Sequence, residues 1–325
     1  MSKKQILIIH TGGTISMKVD QQSGTVKPAD TNPLLSVDQP LDESAVIASV
    51  EPFHLPSPSI TPKEMLELKI LIDQTLQKQH FDGVVITHGT DTLEETAYFL
   101  DMALETETPV IVTGAMRSSD QIGTDGLSNL MSAVRTAGCS EARGKGVLVV
   151  LNDEIHAADN VTKTHTSSLS TFQSPQYGPI GIVTKRNVHF HQQPIRRQKI
   201  PVTSVNKRVA LIKAYAGMDS HLLLLLKDLP YDGVVIEALG QGNLPPAVVP
   251  AIKELIHQNI PIVLVSRCFN GIVQDVYGYE GGGKHLKELG VIFSNGLNGQ
   301  KARIKLLMAL ASNFAPEQIK KVFEQ

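Results

Sequence analysis

Short apolar segments alternate with longer amphipathic segments along most of the chain. Seven runs rich in valine, isoleucine and leucine have the length and continuity of strands that are buried on both faces of a parallel sheet. These runs are residues 5–9, 83–87, 110–113, 146–151, 209–213, 233–236 and 262–265. Because amphipathic helical patterns separate them, the sequence predicts an α/β fold with mostly parallel sheets.

Capping residues mark two helix starts. The hydroxyl of Thr61, the proline that follows it and the carboxylate of Glu64 predict a capping box, which begins a helix that ends near Lys78. A second helix is predicted to begin at the sequence Thr-Leu-Glu-Glu from residue 92. Asp91 is therefore expected directly before a helix.

A weak internal repeat predicts two domains. Residues 81–86 (FDGVVI) recur as residues 231–236 (YDGVVI), and a glycine-containing loop, a helical pattern and a proline-led strand follow each copy. The chain of 325 residues is also longer than the roughly 250–300 residues at which single cores stop growing. We predict domains at 1–190 and 209–325, joined by a basic, glutamine-rich linker at 191–208.

Charge and cysteine content exclude several classes of partner. The 30 lysine and arginine residues balance 32 aspartate and glutamate residues, so no basic surface for nucleic acid or an anionic membrane is expected. Cys139 and Cys268 are far apart and predict neither a disulfide framework nor a zinc site. The first apolar run is too short for a signal peptide, and no run suits a membrane span. A cytoplasmic protein with a small-molecule or subunit partner is expected.

A glycine-rich segment directly follows the first predicted strand. Ligands of parallel sheets bind beyond the carboxyl ends of the strands. Within residues 11–16, the glycines would let backbone N–H groups approach a ligand closely and would present Thr14 beside them. A simple glycine turn or a phosphate-binding loop is the alternative, although the segment lacks the phosphate-loop and dinucleotide patterns.

Two further polar segments contain candidate charged groups. Asp91 lies at a helix N-terminus, which favours its anionic form, so it could bind a substrate ammonium or orient a lysine. The alternative is that Asp91 and Thr92 only cap the helix. Lys163 lies among hydroxyls and amides at 159–166 and could stabilise a deprotonated hydroxyl or accept its proton. Simple solvation is the alternative for this lysine.

No metal or organic cofactor is predicted. The histidines near the candidate segments show no regular metal-ligand spacing, so structural roles are expected for them. These are His10, His88, His156 and His165. The chain also has no G-x-S-x-G motif, which argues against an α/β-hydrolase.

Three segments together carry a family resemblance. They are 11–15 (TGGTI), 88–96 (HGTDTLEET) and 161–164 (VTKT), in that order and about 75 residues apart. They resemble the bacterial-type L-asparaginases, specifically the cytoplasmic, type I-like asparaginase/glutaminase family. The resemblance covers essentially the whole chain and continues through 109–117, 172–174, 177–179 and 300–303. It implies a larger N-terminal flavodoxin-like domain, a smaller C-terminal Rossmann-like domain and a homotetramer built as a dimer of dimers.

The resemblance also implies a role for each candidate residue. Thr14 would attack the side-chain carboxamide of L-asparagine, form an acyl-enzyme and expel ammonia before water releases L-aspartate. Lys163, oriented by Asp91 and linked to Thr90, would relay a proton. The implied substrate-binding residues are Gly13, Ser57, Pro58, Gly89, Thr90, Asp91, Ala115 and Met116.

The chain departs from the family pattern at three places. Residues 17–30 contain no tyrosine, although the family usually has one there, and Thr25 or Val26 occupies that region. Pro58 follows Ser57 where a substrate-contacting glutamine is common. Many exported members have a glutamate near residues 274–277, so Tyr277 is expected as an auxiliary residue near a neighbouring subunit's site.

Three functional hypotheses follow. The first is an L-asparagine amidohydrolase with a threonine nucleophile. The second is a non-catalytic asparagine or aspartate binder on the same scaffold, which the missing loop tyrosine would favour. The third is the amide-hydrolysing subunit of a tRNA-dependent amidotransferase; such subunits have an additional N-terminal domain, whereas the first strand here begins at residue 5.

Overall fold

The computed structural model of the chain describes residues 3–19, 25–28, 45–195 and 199–324. The chain divides into two compact units, residues 1–196 and 197–325. Each unit contains a mainly parallel sheet with helices against it. The predicted fold class, two α/β domains of which the N-terminal one is larger, is confirmed.

The first unit is built around an eight-stranded sheet. Its strand order is β12-β11-β8-β7-β6-β5-β1-β4. The five strands β7, β6, β5, β1 and β4, which are neighbours in this order, are parallel. The strands of this unit are β1 (Lys4–His10), β2 (Met17–Val19), β3 (Val26–Pro28), β4 (Ala45–Val50), β5 (Gly83–Thr87), β6 (Val110–Thr113), β7 (Val147–Leu151), β8 (Glu154–Ala157), β9 (Thr162–Lys163), β10 (Phe172–Gln173), β11 (Gly181–Val183) and β12 (Val188–Phe190). Its helices are α1 (Pro62–Lys78), α2 (Leu93–Ala103) and α3 (Gly126–Ala137).

Burial on both faces explains why the central strands have continuous apolar sequences. Every residue of β5, β6 and β7 is buried. Helices α2 and α3 both contact β6 and β7, and Leu130 and Val134 of α3 lie in one core cluster with Val85 and Ile111. A strand covered by helices on both sides has no polar face, so the period-two alternation of a half-exposed strand is absent.

The register of the sheet brings several loops to one edge. In the pairing of β1 with β5, His10 lies opposite Thr87, and in the pairing of β5 with β6, Thr87 lies opposite Thr113. These three residues end their parallel strands. The loops that follow β1, β5 and β6 therefore start side by side, at the edge where ligands of parallel sheets bind.

The second unit contains a four-stranded parallel sheet in the order β13-β14-β15-β16. Its strands are β13 (Val209–Lys213), β14 (Gly233–Ala238), β15 (Ile262–Ser266) and β16 (Ile292–Phe293). Its helices are α4 (His221–Leu225), α5 (Val249–His257), α6 (Gly283–Glu288), α7 (Gly299–Ala311) and α8 (Pro316–Phe323). Ile236, Leu264 and Leu255 belong to its buried core cluster.

The aspartate of the internal repeat makes equivalent hydrogen bonds in both units. The carboxylate of Asp82 accepts a hydrogen bond from the Gln5 N–H at 2.8 Å, and Asp232 accepts one from the Arg208 N–H at 2.8 Å. A lysine side chain also donates to each carboxylate. The Gln5 hydrogen bond lowers the pKa of Asp82 below its usual range. Each aspartate thereby ties the start of one parallel strand to its neighbour.

The predicted helix starts are confirmed. Helix α1 spans residues 62–78, and Thr61 and Glu64 form the capping box, in which the Glu64 carboxylate accepts from the Thr61 N–H at 2.8 Å. Helix α2 begins at Leu93, so Asp91 does precede a helix. Among the described helices, none has both the length and the apolar character needed to cross a bilayer.

Candidate active site

Thr14 lies in a tight turn that directly follows β1. The chain passes through Gly12 with φ 104° and Gly13 with φ 85°, which are conformations that favour glycine. A single turn of 3-10 helix, Thr14–Ser16, comes next, and both the backbone N–H and the hydroxyl of Ser16 donate to the Gly13 carbonyl at 3.0 Å. Ile15 is buried, whereas Thr14 is partly exposed. The turn therefore presents the Thr14 hydroxyl from a well-anchored backbone.

Close backbone contacts bring three of the predicted binding residues together. A Cβ atom on Gly13 would lie 2.2 Å from the Gly89 Cα atom, and a Cβ atom on Gly89 would lie 2.7 Å from the Ser57 Oγ atom. Both distances are far below van der Waals contact, so a Cβ atom at either position would clash with its neighbour. Glycine at both positions allows these segments to approach so closely. The structure places Gly13, Ser57 and Gly89 in one cluster.

The segment at Ser57 is tied to the start of helix α2. The buried Ser57 Oγ accepts a hydrogen bond from the Asp91 N–H at 3.2 Å, and the Thr92 hydroxyl donates to the Ser57 carbonyl at 2.8 Å. Thr92 is the N-cap residue of α2, but its side chain makes no capping hydrogen bond. Its hydroxyl instead holds the Ser57 segment, next to which Pro58 is exposed.

Lys163 joins the two residues with which it was predicted to act. Its Nζ atom donates to Thr90 Oγ1 at 2.9 Å and to Asp91 Oδ1 at 2.7 Å. The Lys163 side chain is only 16% exposed, whereas the Asp91 side chain is 59% exposed. Lys163 is therefore held in the site by two oxygen partners, and the alternative of a freely solvated lysine does not describe it.

The loop after β6 contributes the last predicted binding residues. A Cβ atom on Gly114 would lie 3.3 Å from the Thr90 Cγ2 atom, so this loop packs against the loop that carries Thr90. Ala115 is buried and Met116 is partly exposed beside it. The sheet edge thus gathers the predicted residues that follow β1, β5 and β6.

Three positioning contacts were missed by the sequence analysis. The Asp125 carboxylate accepts from the Met116 N–H at 2.9 Å, and Asn129 Nδ2 donates to the Gly114 carbonyl at 2.9 Å, so helix α3 fixes the β6 loop. Glu94 Oε1 accepts from the Lys163 N–H at 3.2 Å. Glu94 and Lys163 are 69 positions apart in the sequence, so no local sequence pattern indicated this contact.

His88 is neutral and fully buried, and it forms hydrogen bonds with the loop that follows β5 and with helix α2. Its Nδ1 atom lies 2.7 Å from the Gly89 carbonyl oxygen, which can only accept, so Nδ1 carries the proton. Nε2 then accepts from the Thr96 hydroxyl at 2.9 Å. Burial lowers the pKa of His88 to about 4. The structural role expected for this histidine agrees with these contacts.

The remaining sequence expectations concern a metal ion, the segment after Thr14 and Tyr277. Among the described residues, no group of three or more histidine, cysteine, aspartate or glutamate side chains could hold a metal ion. Thr25 is exposed and Val26 begins β3, while 20–24 and 29–44, which include part of the predicted loop, are outside the described residues. Tyr277 belongs to the second unit, where its ring is 5.7 Å from that of Tyr279 and its side chain is exposed.

The free energy of unfolding is expected to fall as the pH is lowered from about 6.5 to about 4. Burial lowers the pKa of both His10 and His88 from 6.5 to about 4, so in this window the unfolded chain binds more protons than the folded chain. Each histidine then removes up to ~1.4 kcal/mol of stability per pH unit. Urea unfolding at pH 7.5, 6.0 and 5.0 measures the slope of the free energy of unfolding against pH. His88→Gln should flatten it, and equal stability at pH 7.5 and 5.0 would contradict the prediction.

Comparison with known proteins identifies the family. Residues 5–196 match the family described as "Asparaginase, N-terminal", and residues 208–323 match "Glutaminase/Asparaginase C-terminal domain". The chain belongs to the asparaginase family. The family prediction made from the sequence is therefore confirmed.

Relatives in this asparaginase family match along the whole chain. A Deinococcus radiodurans protein named "Probable L-asparaginase" is 40% identical over 328 residues, which cover 100% of this chain and 98% of the relative. A Bacillus licheniformis "L-asparaginase" is 36% identical and covers 95% of this chain and 96% of its own length. The crystal structure of a "Probable Cytoplasmic L-asparaginase" from Campylobacter jejuni has a TM-score of 0.89 and 31% identity, and covers 99% of this chain and 100% of its own.

Proposed function

We propose that this protein is an L-asparagine amidohydrolase, which hydrolyses L-asparagine to L-aspartate and ammonia. Membership of the asparaginase family supports this function. The observation that carries it is the Lys163 side chain, whose Nζ atom contacts both Thr90 Oγ1 and Asp91 Oδ1 in the loop cluster that also contains Thr14. Such a cluster supplies a hydroxyl nucleophile with a proton relay and a positive charge.

Thr14 is the proposed nucleophile. Its hydroxyl oxygen forms a bond to the carboxamide carbon of asparagine, and its proton passes through Thr90 to the departing nitrogen. The C–N bond then breaks and ammonia leaves. Water attacks the resulting acyl-enzyme, returns a proton to Thr14 and releases aspartate. Because Lys163 Nζ donates to Thr90 Oγ1 at 2.9 Å, its positive charge stabilises negative charge on this oxygen during proton transfer.

The substrate's charged groups have complementary partners in the cluster. One oxygen of Asp91, Oδ1, contacts Lys163, which leaves Oδ2 of this exposed carboxylate able to accept the α-ammonium group. Ser57 binds the α-carboxylate. Backbone N–H groups near Gly13 and Thr90, together with Ala115, stabilise the oxyanion that forms during attack.

Further proposals concern the substrate pocket, the oligomeric state and the cellular location. Gly89, Pro58 and Met116 complete the substrate pocket, and the exposed Tyr277 extends towards the site of a neighbouring subunit in a homotetramer built as a dimer of dimers. We place the protein in the cytoplasm, which is also how its Campylobacter jejuni relative is described. No cofactor is required for the proposed chemistry.

Ammonia release by the purified protein tests the proposed function. With L-asparagine as substrate, a coupled ammonia assay is expected to show enzyme-dependent release, and L-glutamine measured separately gives the amide preference. A folded protein whose thermal stability rises with L-asparagine or L-aspartate but which releases no ammonia would be a binder, and the amidohydrolase proposal would be wrong.

A further inference from the structure

We propose that Glu94 is a positioning residue that holds Lys163 within reach of Thr90 and Asp91. This inference rests on the proposed function, in which Lys163 supports the chemistry at Thr14. Glu94 lies in the first turn of helix α2 and is only 4% exposed. Its Oε1 atom accepts a hydrogen bond from the Thr162 hydroxyl at 3.0 Å and another from the Lys163 backbone N–H at 3.2 Å.

The strand that carries Lys163 has little support from a sheet. Strand β9 contains only two residues, and its pairing with the equally short β10 forms a separate two-stranded sheet. A two-stranded pairing of this size has marginal stability in water. Contacts from outside the hairpin must therefore fix the position of β9, and the Glu94 carboxyl group supplies two of them.

Helix α2 holds Lys163 at two points. Asp91, just before the helix, contacts the Nζ atom at 2.7 Å, and Glu94, three residues later, accepts from the backbone N–H at 3.2 Å. A free lysine side chain samples many rotamers, and the entropy lost on fixing one of them opposes a single geometry. With both its backbone and its Nζ atom held from one helix start, Lys163 keeps its 2.9 Å contact with Thr90 Oγ1.

Helix stabilisation alone does not explain this arrangement. A carboxylate in the first turn of a helix interacts favourably with the helix dipole, and the neighbouring Glu95 has the same position-dependent benefit. Glu94 differs because its side chain is buried and is directed at the backbone of the candidate lysine. Glu95→Gln is therefore a control that removes the neighbouring first-turn charge from the same helix start.

A double-mutant cycle separates positioning from a general structural role. Glu94→Met is expected to lower kcat for L-asparagine by about 10- to 100-fold with KM changed by less than about 3-fold, because misplacing a reacting group by about 1 Å has effects of this size. In the Lys163→Met background the same substitution should change kcat by less than about 2-fold. Glu95→Gln should leave kcat within about 2-fold of wild type.

Two other variants keep the inference testable if Glu94→Met does not fold. Glu94→Gln keeps a side-chain oxygen that can accept both hydrogen bonds, so kcat should recover to within about 3-fold of wild type. Thr162→Val has a similar shape but removes the hydroxyl that donates to Glu94, and kcat should fall by about 3- to 10-fold. Equal effects of Glu94→Met in both lysine backgrounds, or a loss confined to KM, would overturn the proposal.

A crystal structure of the Glu94→Met or Thr162→Val variant gives a readout that does not depend on activity. The distance from Lys163 Nζ to Thr90 Oγ1 should exceed the hydrogen-bond limit of about 3.5 Å, compared with 2.9 Å in the wild-type chain. An unchanged distance would contradict the positioning role. If the wild-type protein releases no ammonia, the proposed function fails, while this distance still tests whether Glu94 positions Lys163.

Discussion

Replacement of Thr14 by alanine is expected to lower kcat for L-asparagine by at least about 10⁴-fold, the scale seen when an enzyme loses its nucleophile. The variant retains the glycine turn and the Lys163 contacts but has no hydroxyl to form the acyl-enzyme. The measurement is ammonia release under saturating substrate, with enough protein to detect very slow turnover.

Two controls distinguish loss of chemistry from loss of fold. Because the Thr14 side chain is partly exposed, Thr14→Ala should change stability by no more than about 0.5 kcal/mol. L-Aspartate should still raise its thermal midpoint. Thr14→Ser restores a hydroxyl and should be more active than the alanine variant. Turnover by Thr14→Ala within about 10-fold of wild type would show that another group is the nucleophile.

The central strands of the fold could be predicted because their burial requires continuous apolar sequences. The predicted runs at 83–87, 110–113 and 209–213 coincide with β5, β6 and β13. Strand β4 was not predicted, because it lies at the sheet edge beside β1 and is only partly buried. The antiparallel strands β8, β11 and β12 were also missed, since each is short and, unlike β6, has at least one residue that is not buried.

A turn signal for the antiparallel part of the sheet was present in the sequence. Asn152 and Asp153 separate β7 from β8 and have φ values of 51° and 61°. Asparagine and aspartate adopt this left-handed region more readily than other non-glycine residues, and two such residues in succession are typical of a tight hairpin. The pair therefore predicts a reversal of chain direction that a search for parallel strands overlooks.

Some candidate site residues are evident from the local sequence, whereas others become evident only from a contact in the fold. Thr14, Thr90 and Asp91 follow predicted strands or precede a predicted helix, and Lys163 lies in a polar segment, so the sequence alone marks these four residues as candidates. The residue that positions the last of these is different, because Glu94 and Lys163 are 69 positions apart and only the fold brings them to 3.2 Å. A first-turn glutamate also has a local explanation as a helix-stabilising charge, which conceals its long-range contact.

Replacement of Lys163 by methionine is expected to lower kcat by about 10³-fold, within the range for loss of a group that assists proton transfer. Methionine retains the length of the apolar stem but removes the hydrogen bonds to Thr90 Oγ1 and Asp91 Oδ1. Negative charge on the Thr90 oxygen then has no cationic partner from this residue. Steady-state kinetics with L-asparagine measures the effect.

The division of the Lys163→Met effect between kcat and KM tests the role assigned to Asp91. Without the lysine, both oxygens of the Asp91 carboxylate become available to the substrate ammonium, so KM should not rise by more than about 3-fold while kcat falls. Lys163→Arg keeps the positive charge with a different donor geometry and should be intermediate in kcat. A Lys163→Met enzyme with wild-type kcat and a raised KM would mean that the lysine binds substrate and does not assist proton transfer.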